Sequence, residues 1–251
     1  MCVDIGYKSM LGPDGLPKLI PGIKIDRSLA NNDVSIPHKQ AHAKPACVVV
    51  LSSDGGALAD KLSWGFVADF MLNNPEQQKK YFNQLFNARA EKIVDNSSMW
   101  SPYITHRCLL VASGIYEHQR VSYSSKKIPH YISFNNGDPL LIPSLYNPKT
   151  RSFALITRAA NELFKEIHNA GPNKHRMPLL LPYKLAASWI NQNLTSADIK
   201  DFLNYELDSA LLSHHTVYSL RSSSPRPDGK PADTFFNWAI SREDQDQLSL
   251  F

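Results

Sequence analysis

Cys2 stands directly behind the initiator methionine, and it is the residue of this sequence with the most chemistry open to it. A small side chain at position 2 permits removal of Met1, which would leave a cysteine carrying an α-amine and a thiol on adjacent carbons. Reference pKa values are about 7.7–8.0 for the amine and about 8.5 for the thiol, so both nucleophilic forms are accessible near neutrality. With an aldehyde, the amine forms a Schiff base and the thiol closes on it to give a five-membered thiazolidine. With an amide, the thiolate attacks and the α-amine serves as its base. The ordinary alternative for a lone cysteine is a buried, inert thiol.

Further acid–base and polar side chains recur in short ordered runs. These are Asn87-Ala88-Arg89-Ala90-Glu91, His106-Arg107-Cys108-Leu109, Ala112-Ser113-Gly114-Ile115-Tyr116-Glu117, and Ile167-His168 ahead of Arg176-Met177-Pro178. Taken alone, Glu117 reads as a surface acid in a strand-end turn; in a partly desolvated cleft beside the N-terminus it would hold a raised pKa and could both accept and return protons. Asn87 alone reads as the C-terminal residue of a helix, where Asn is favoured. Trp64, within Ser63-Trp64-Gly65, reads either as strand core or as a stacking face for a base.

Together with Met1-Cys2 and Ser63-Trp64-Gly65, these runs resemble the SRAP (SOS response-associated peptidase) family, whose pattern is N-A-R-x-E, R-C-L-x-P-A-x-G-[FYW]-Y-E and I-H-x-R-M-P. The resemblance covers residues 1–190 and rests on several motifs in order, which is more specific than any one of them. It implies a sensor of abasic sites that binds single-stranded DNA and crosslinks to the ring-opened aldehyde as a thiazolidine, with peptidase-like hydrolase and lyase activities as options at the same site. Carried over, Cys2 is the nucleophile and Asn87 positions the cysteine or the sugar. Glu117 shuttles protons for ring opening, Schiff-base formation and reversal, and His168 stabilises the ring-opened sugar. Arg89 and Arg176 would be phosphate ligands, with Trp64 as the stacking face.

Two features depart from the family pattern. The histidine of I-H-x-R-M-P stands two residues before the arginine, whereas here residues 169–175 separate His168 from Arg176, and His175 abuts the arginine. His168 is preferred because the preceding Ile167 and the end of a helix match I-H, and an inserted loop need not move it. The second departure is Val3-Asp4 where the family commonly has Gly-Arg, a change expected to weaken or redirect phosphate contact beside the nucleophile. Two rival functions stay open: an N-terminal-nucleophile amidohydrolase acting on a small amide without DNA, and a noncatalytic single-stranded DNA-binding module.

The elements that must position these residues are legible in outline. Ala46–Leu51 and Leu62–Val67 are β-rich runs joined through Ser53-Asp54-Gly55-Gly56, and strand-like runs follow at Ile104–Ala112, His130–Phe134, Leu140–Tyr146 and Ser152–Thr157. Asn74-Pro75-Glu76 starts a helix whose apolar face is Tyr81, Phe82, Leu85 and Phe86 and whose end falls near Asn87. Ala159–Ile167 and Pro182–Asn193 read as helices, Met177–Leu181 as a buried strand, and Thr195-Ser196-Ala197-Asp198 as another helix start. Residues 6–44 carry many breakers and read as an irregular wrap. The class expected is α+β: a curved, mostly antiparallel, barrel-like sheet with peripheral helices, with residues 1–220 as the catalytic domain and 221–251 as a loop and tail.

Composition prunes the remainder. In 251 residues, 43% are hydrophobic and 20% charged, with 11 Gly and 17 Pro, which excludes a disordered, collagenous or coiled-coil chain. A net charge of +4 permits an anionic partner without demanding one. Three cysteines without a C-x-x-C suggest neither a disulfide framework nor a Cys-rich zinc site. His38, His42 and Cys47 fall at metal-like spacing, but their Pro-bounded segment is a poor helix, so no metal and no cofactor are expected. Dinucleotide, nucleotide triphosphate, α/β-hydrolase and zincin motifs are missing. With no signal peptide or long apolar run in view, the expectation is a monomer without membrane contact, cytoplasmic and nucleoid-associated if bacterial.

Overall fold

The computed structural model describes residues 2–30, 33–54, 56–81, 83–122, 127–222 and 225–238. Met1, Gly55, Phe82, Ser223, Ser224 and residues 239–251 of the expected tail therefore lie outside the described residues. In chain order the strands are β1 (Asp4–Tyr7), β2 (Lys24–Ile25), β3 (Ile36–Gln40), β4 (Ala46–Ser53), β5 (Gly56–Trp64), β6 (Asn87–Arg89), β7 (Arg107–Ala112), β8 (Gly114–Gln119), β9 (Ile128–Phe134), β10 (Leu140–Asn147), β11 (Ser152–Ala159), β12 (Arg176–Pro178) and β13 (Leu212–Thr216). The helices are α1 (Leu16–Leu19), α2 (Arg27–Ala30), α3 (Pro75–Tyr81), α4 (Ala90–Ile93), α5 (Glu162–Ile167), α6 (Tyr183–Trp189) and α7 (Ser196–Asn204).

The strands form two sheets. The larger runs β12-β11-β10-β7-β4-β5-β2, and β11 also pairs in parallel with β5 (Phe153 opposite Trp64), so the path β11-β10-β7-β4-β5 closes on itself. The smaller runs β13-β9-β8-β1-β3, all antiparallel. The expected α+β class with a curved, mostly antiparallel, barrel-like core is what the chain adopts.

Why the central strands read as unbroken apolar runs follows from their two buried faces. Successive side chains on a strand point to opposite faces. In β4, Val48 and Val50 enter one apolar cluster while Cys47, Val49 and Leu51 enter the other. The first cluster takes in Trp189 of α6 and Ile199, Phe202 and Leu203 of α7, which cover the outside of the larger sheet. The second lies between the sheets and holds Cys2 and Ile5 at one edge, Ile115 and Ile132 of the smaller sheet, and Phe164 and Ile167 of α5. Arg107, of the His106-Arg107-Cys108 run, is a tie within this architecture. It is buried, and its Nε and Nη2 donate to the carbonyls of Trp189 and Asn191 at 2.9 and 2.6 Å, satisfying the C-terminal end of α6.

Two local readings need correction. Residues 6–44 are not an irregular wrap throughout, because β1 and β3 pair with each other and β1 pairs with β8. Their shortness, and a register shift between Ile5 and Tyr7, weaken the alternation by which strands are recognised. The helix after Asn74 ends at Tyr81 and buries none of its own residues; Leu85 and Phe86 are buried beyond it, and Asn87 opens a strand. That stretch is extended because Asn87, Ala88 and Arg89 lie opposite Leu155, Ile156 and Thr157 of β11 in parallel pairing, a partner the local sequence does not contain.

Candidate active site

Cys2 leads into β1, which runs antiparallel to β8 with Ile5 opposite Ile115, so the residues ahead of β1 lie beside Glu117 further along β8. The thiol is 2% exposed and donates weakly to the carbonyl of Asp4 at 3.9 Å. Burial pushes its pKa well above the ordinary thiol value, and the charge of Glu117 adds to the rise. It rests as a thiol and not as a thiolate.

Glu117 and His168 meet beside it. Glu117 is 5% exposed, and burial raises its pKa to about 7, with Asp4 adding to the rise while the positive amino terminus and Lys127 oppose it. His168 caps the C-terminal end of α5, whose start is capped by Asn161 Oδ1 accepting from the Phe164 N–H at 3.1 Å. Burial lowers the His168 pKa to about 4, and Nδ1 donates to the carbonyl of Arg176 at 2.9 Å. The same Nδ1 lies 3.8 Å from Glu117 Oε2. With one group lifted and the other depressed, near neutrality a titrating carboxyl stands beside a neutral imidazole, not an ion pair. A ring donating from Nδ1 carries its lone pair on Nε2, the atom able to take a proton.

The inserted loop does not displace this histidine. Residues 169–175 fold outward, with Asn169 exchanging hydrogen bonds with the backbone of Arg120 (2.8 and 2.9 Å) at the end of β8, and the chain returns so that His168 still touches the Arg176 carbonyl. His175 is exposed, with φ +59°, on the outside of that turn. Of the two histidines, His168 is the one beside Glu117.

Asn87 is buried on β6, which pairs with β11, and the preceding Phe86 packs in the large apolar cluster that also contains Cys2, Phe164 and Ile167. Neither polar atom of the Asn87 amide has a hydrogen-bond partner within the protein, and Glu117 Oε1 has none either. Each buried polar atom left unpaired carries a desolvation cost that a ligand or ordered water can relieve. Glu117 and His168 line a cavity of about 210 Å³ together with Val3, Asp4, Tyr116, His118, Lys127, Ala170 and Arg221. A larger hollow of about 500 Å³ lies between residues 8–19 and β9, and it contains none of the candidate site residues, so size does not mark the site.

The proposed DNA ligands divide. Arg89 is exposed, with Nη2 donating to Asn173 of the inserted loop at 3.2 Å. Arg176 instead forks onto Glu91, donating at 2.5 and 3.1 Å, and onto the Thr157 carbonyl at 2.8 Å. It joins the N-A-R-A-E run to the R-M-P run. Trp64 is the clear correction: it is fully buried, stacked on Phe153 at 6.3 Å, and its Nε1 donates to the Phe86 carbonyl at 3.0 Å. A ring with no exposed face cannot stack on a base; Trp64 instead supports the strand that presents Asn87.

Arg221 escaped the sequence reading as a cavity residue, and Asp4 entered it only as a departure from the family pattern. Asp4 is buried, and its carboxylate accepts from His38 Nε2 and Arg221 Nη2, each at 2.8 Å. Burial raises its pKa, but the His38 hydrogen bond and the positive groups outweigh that and leave it below the usual range. Arg221 arrives from 217 positions away, so no local motif connects the two.

The family profile described as SOS response associated peptidase (SRAP) matches residues 24–220. Among curated proteins, the abasic site processing protein YoaM of Bacillus subtilis (strain 168) is 28% identical over 170 residues, 65% of this chain and 70% of its own length. Its namesake YoqW, from the same organism and from Bacillus phage SPbeta, is 25% identical over 213 residues, 82% of this chain and 89% of its own. Among solved structures, a protein from Bacteroides thetaiotaomicron superposes with a TM-score of 0.74 at 21% identity, covering 94% of this chain and 100% of that one. One from Bordetella bronchiseptica gives 0.67 at 19%, covering 87% and 100%.

Proposed function

Since this chain belongs to the SOS response associated peptidase (SRAP) family, we propose that it processes abasic sites in DNA, as its curated relatives are named for, and that it does so by covalent capture on Cys2. The observation that carries this reading is a Glu117 that titrates near neutrality and a neutral His168 lining one small cavity together with Val3, the chain neighbour of Cys2, whose buried thiol feels the charge of Glu117. The substrate is a single strand whose abasic sugar presents an aldehyde when its ring opens.

Removal of Met1 unmasks the α-amine. Glu117, protonated at the start, donates toward the sugar ring oxygen as the ring opens, while His168 accepts the hydroxyl proton on the other side and returns it to the Glu117 carboxylate, which is thereby protonated again. The amine adds to the aldehyde carbon, and the carbinolamine loses water with a proton supplied by Glu117 to give the Schiff base. The thiol then adds across C=N: a C–S bond forms, the S–H proton passes to nitrogen through the carboxylate, and the thiazolidine closes. Aldehyde and aminothiol enter and thiazolidine and water leave, with no oxidant or reductant. The order, amine first, suits a thiol that burial keeps protonated. An amide hydrolysis that begins with a free thiolate suits it less. In this reading Asn87, whose amide atoms are both unpaired, holds the sugar hydroxyls, and the exposed Arg89 meets a phosphate. Residues 1–220 would then be the catalytic domain, acting as a cytoplasmic monomer.

Intact mass spectrometry tests this reading, on the protein alone and after incubation with single-stranded DNA carrying one abasic site. Loss of Met1 and a one-to-one adduct less one water are expected, and Cys2→Ala with Met1 still removed should form none. An adduct persisting in that variant removes Cys2 from the role. Salt-sensitive binding without any adduct supports the noncatalytic module, and turnover of amides with indifference to DNA supports the amidohydrolase.

A further inference from the structure

We infer that Arg221, carried in by the chain after β13 and fixed on Asp4, is a DNA-positioning residue that contacts a backbone phosphate at the mouth of the Glu117–His168 cavity. The inference rests on the preceding reading of the site as one that admits a sugar of a DNA strand.

The argument begins with Asp4. A buried carboxylate is costly unless paired. It is held from two sides, by His38 of β3 and by Arg221. Gln40, opposite Asp4 on β3, adds a third tie to Arg221: with its amide oxygen turned toward the guanidinium it accepts from Nε at 3.0 Å and Nη2 at 3.1 Å. Yet the Arg221 side chain is 54% exposed while the carboxylate it grips is 2% exposed. The guanidinium is anchored at its inner edge and open to solvent elsewhere, and it lines the cavity with Glu117, His168 and Lys127.

Neutralising a buried Asp needs one cation. The rim of this cavity carries two, Arg221 and the exposed Lys127, against the negative charge of Asp4 and the partial charge of Glu117, which titrates near neutrality. His118 also faces the cavity, with burial holding its pKa down. The rim is therefore net positive. An abasic sugar is flanked by a phosphate on each side, so a cavity deep enough to admit the sugar sets those phosphates at its rim. An arginine whose rotamer is already fixed meets a phosphate with little further loss of side-chain entropy, and its planar fork matches the oxygens.

The test uses the full chain with Arg221→Ala and, because that change strands Asp4, the paired neutral variant Asp4→Asn with Arg221→Gln. Affinity for a fluorescent, undamaged single strand is measured by anisotropy across salt, and adduct rate with an abasic strand at saturating DNA. One lost phosphate contact lowers the log–log salt slope by about 0.7, so between 50 and 200 mM salt the wild type should lose about 2.6-fold more affinity than the paired variant. A paired variant with the wild-type slope overturns the inference and leaves Arg221 as the counter-ion of Asp4 alone. If the wild type forms no adduct and the slope still falls, covalent capture fails while the phosphate contact stands.

Discussion

At the scale of single residues, the site is a pair of shifted titrations with opposite signs. The folded pKa of Glu117 is raised from an ordinary 4.5 to about 7, so between those values the folded state holds a proton that the unfolded chain has released. Stability from this group is full below pH 4.5 and is lost as pH rises to 7. His168 is lowered from 6.5 to about 4, so its contribution is full above pH 6.5 and is lost as pH falls to 4. The two trends oppose each other over the shared interval. Glu117→Gln should therefore gain stability relative to the wild type as pH rises from 4.5 to 7, by up to roughly 3 kcal/mol, and His168→Gln should gain as pH falls from 6.5 to 4. Urea unfolding of the three proteins across pH 4–8 checks both; parallel curves would mean that neither shift exists. Adduct formation by Glu117→Gln should fall about 10²-fold or more and lose the decline with rising pH that the wild type shows above 7. Cys2, Asn87, Glu117 and His168 could be singled out in the sequence because each sits in a short run of distinctive residues. Trp64 could not be assigned, because one aromatic in a β-rich run reads the same whether its ring faces a base or Phe153.

At the scale of elements, β8 presents Glu117 and is itself seated through Gly114. A Cβ at that position would fall 2.2 Å from Tyr131 Cζ and 2.6 Å from its hydroxyl on β9. Tyr131 is buried and donates to Ser113 Oγ at 2.9 Å, so it has little room to yield. Gly114→Ala should destabilise the fold by about 1–3 kcal/mol and slow adduct formation by shifting β8, measured by thermal unfolding and by crosslinking at a temperature where the variant remains folded. An unchanged melting temperature would mean that β9 moves aside freely. The central strands β4, β7, β10 and β11 were readable because both faces are buried and apolar residues run together. The short strands β1, β3 and β6 were not, because their partners lie far along the chain: β6 is extended owing to β11, and β1 is completed by β3 and β8.

At the scale of the whole molecule, the chain closes back on its own beginning. Arg221 reaches Asp4, the Phe236 N–H donates to the Thr216 carbonyl at 2.9 Å, and Trp238 Nε1 donates to the carbonyl of fully buried Val217 at 2.9 Å. A chain stopped after Ser222 keeps Arg221 but uncovers Val217 and one side of β13. At about 2–4 °C per kcal/mol for a protein of this size, loss of about 2 kcal/mol should lower the melting temperature by about 4–8 °C. An unaltered melting temperature would show that residues 225–238 add nothing to the fold. Such a closure is invisible to any window moved along the sequence. Burial of the thiols has one more outcome. Cys2, Cys47 and Cys108 are all buried and unpaired, and oxidation follows exposure and thiolate character, both of which burial withholds. On the proposed capture chemistry, in which the nucleophile is spent once per molecule, this burial seals it from peroxide and from soluble alkylating agents and keeps it for an aldehyde that arrives already bound.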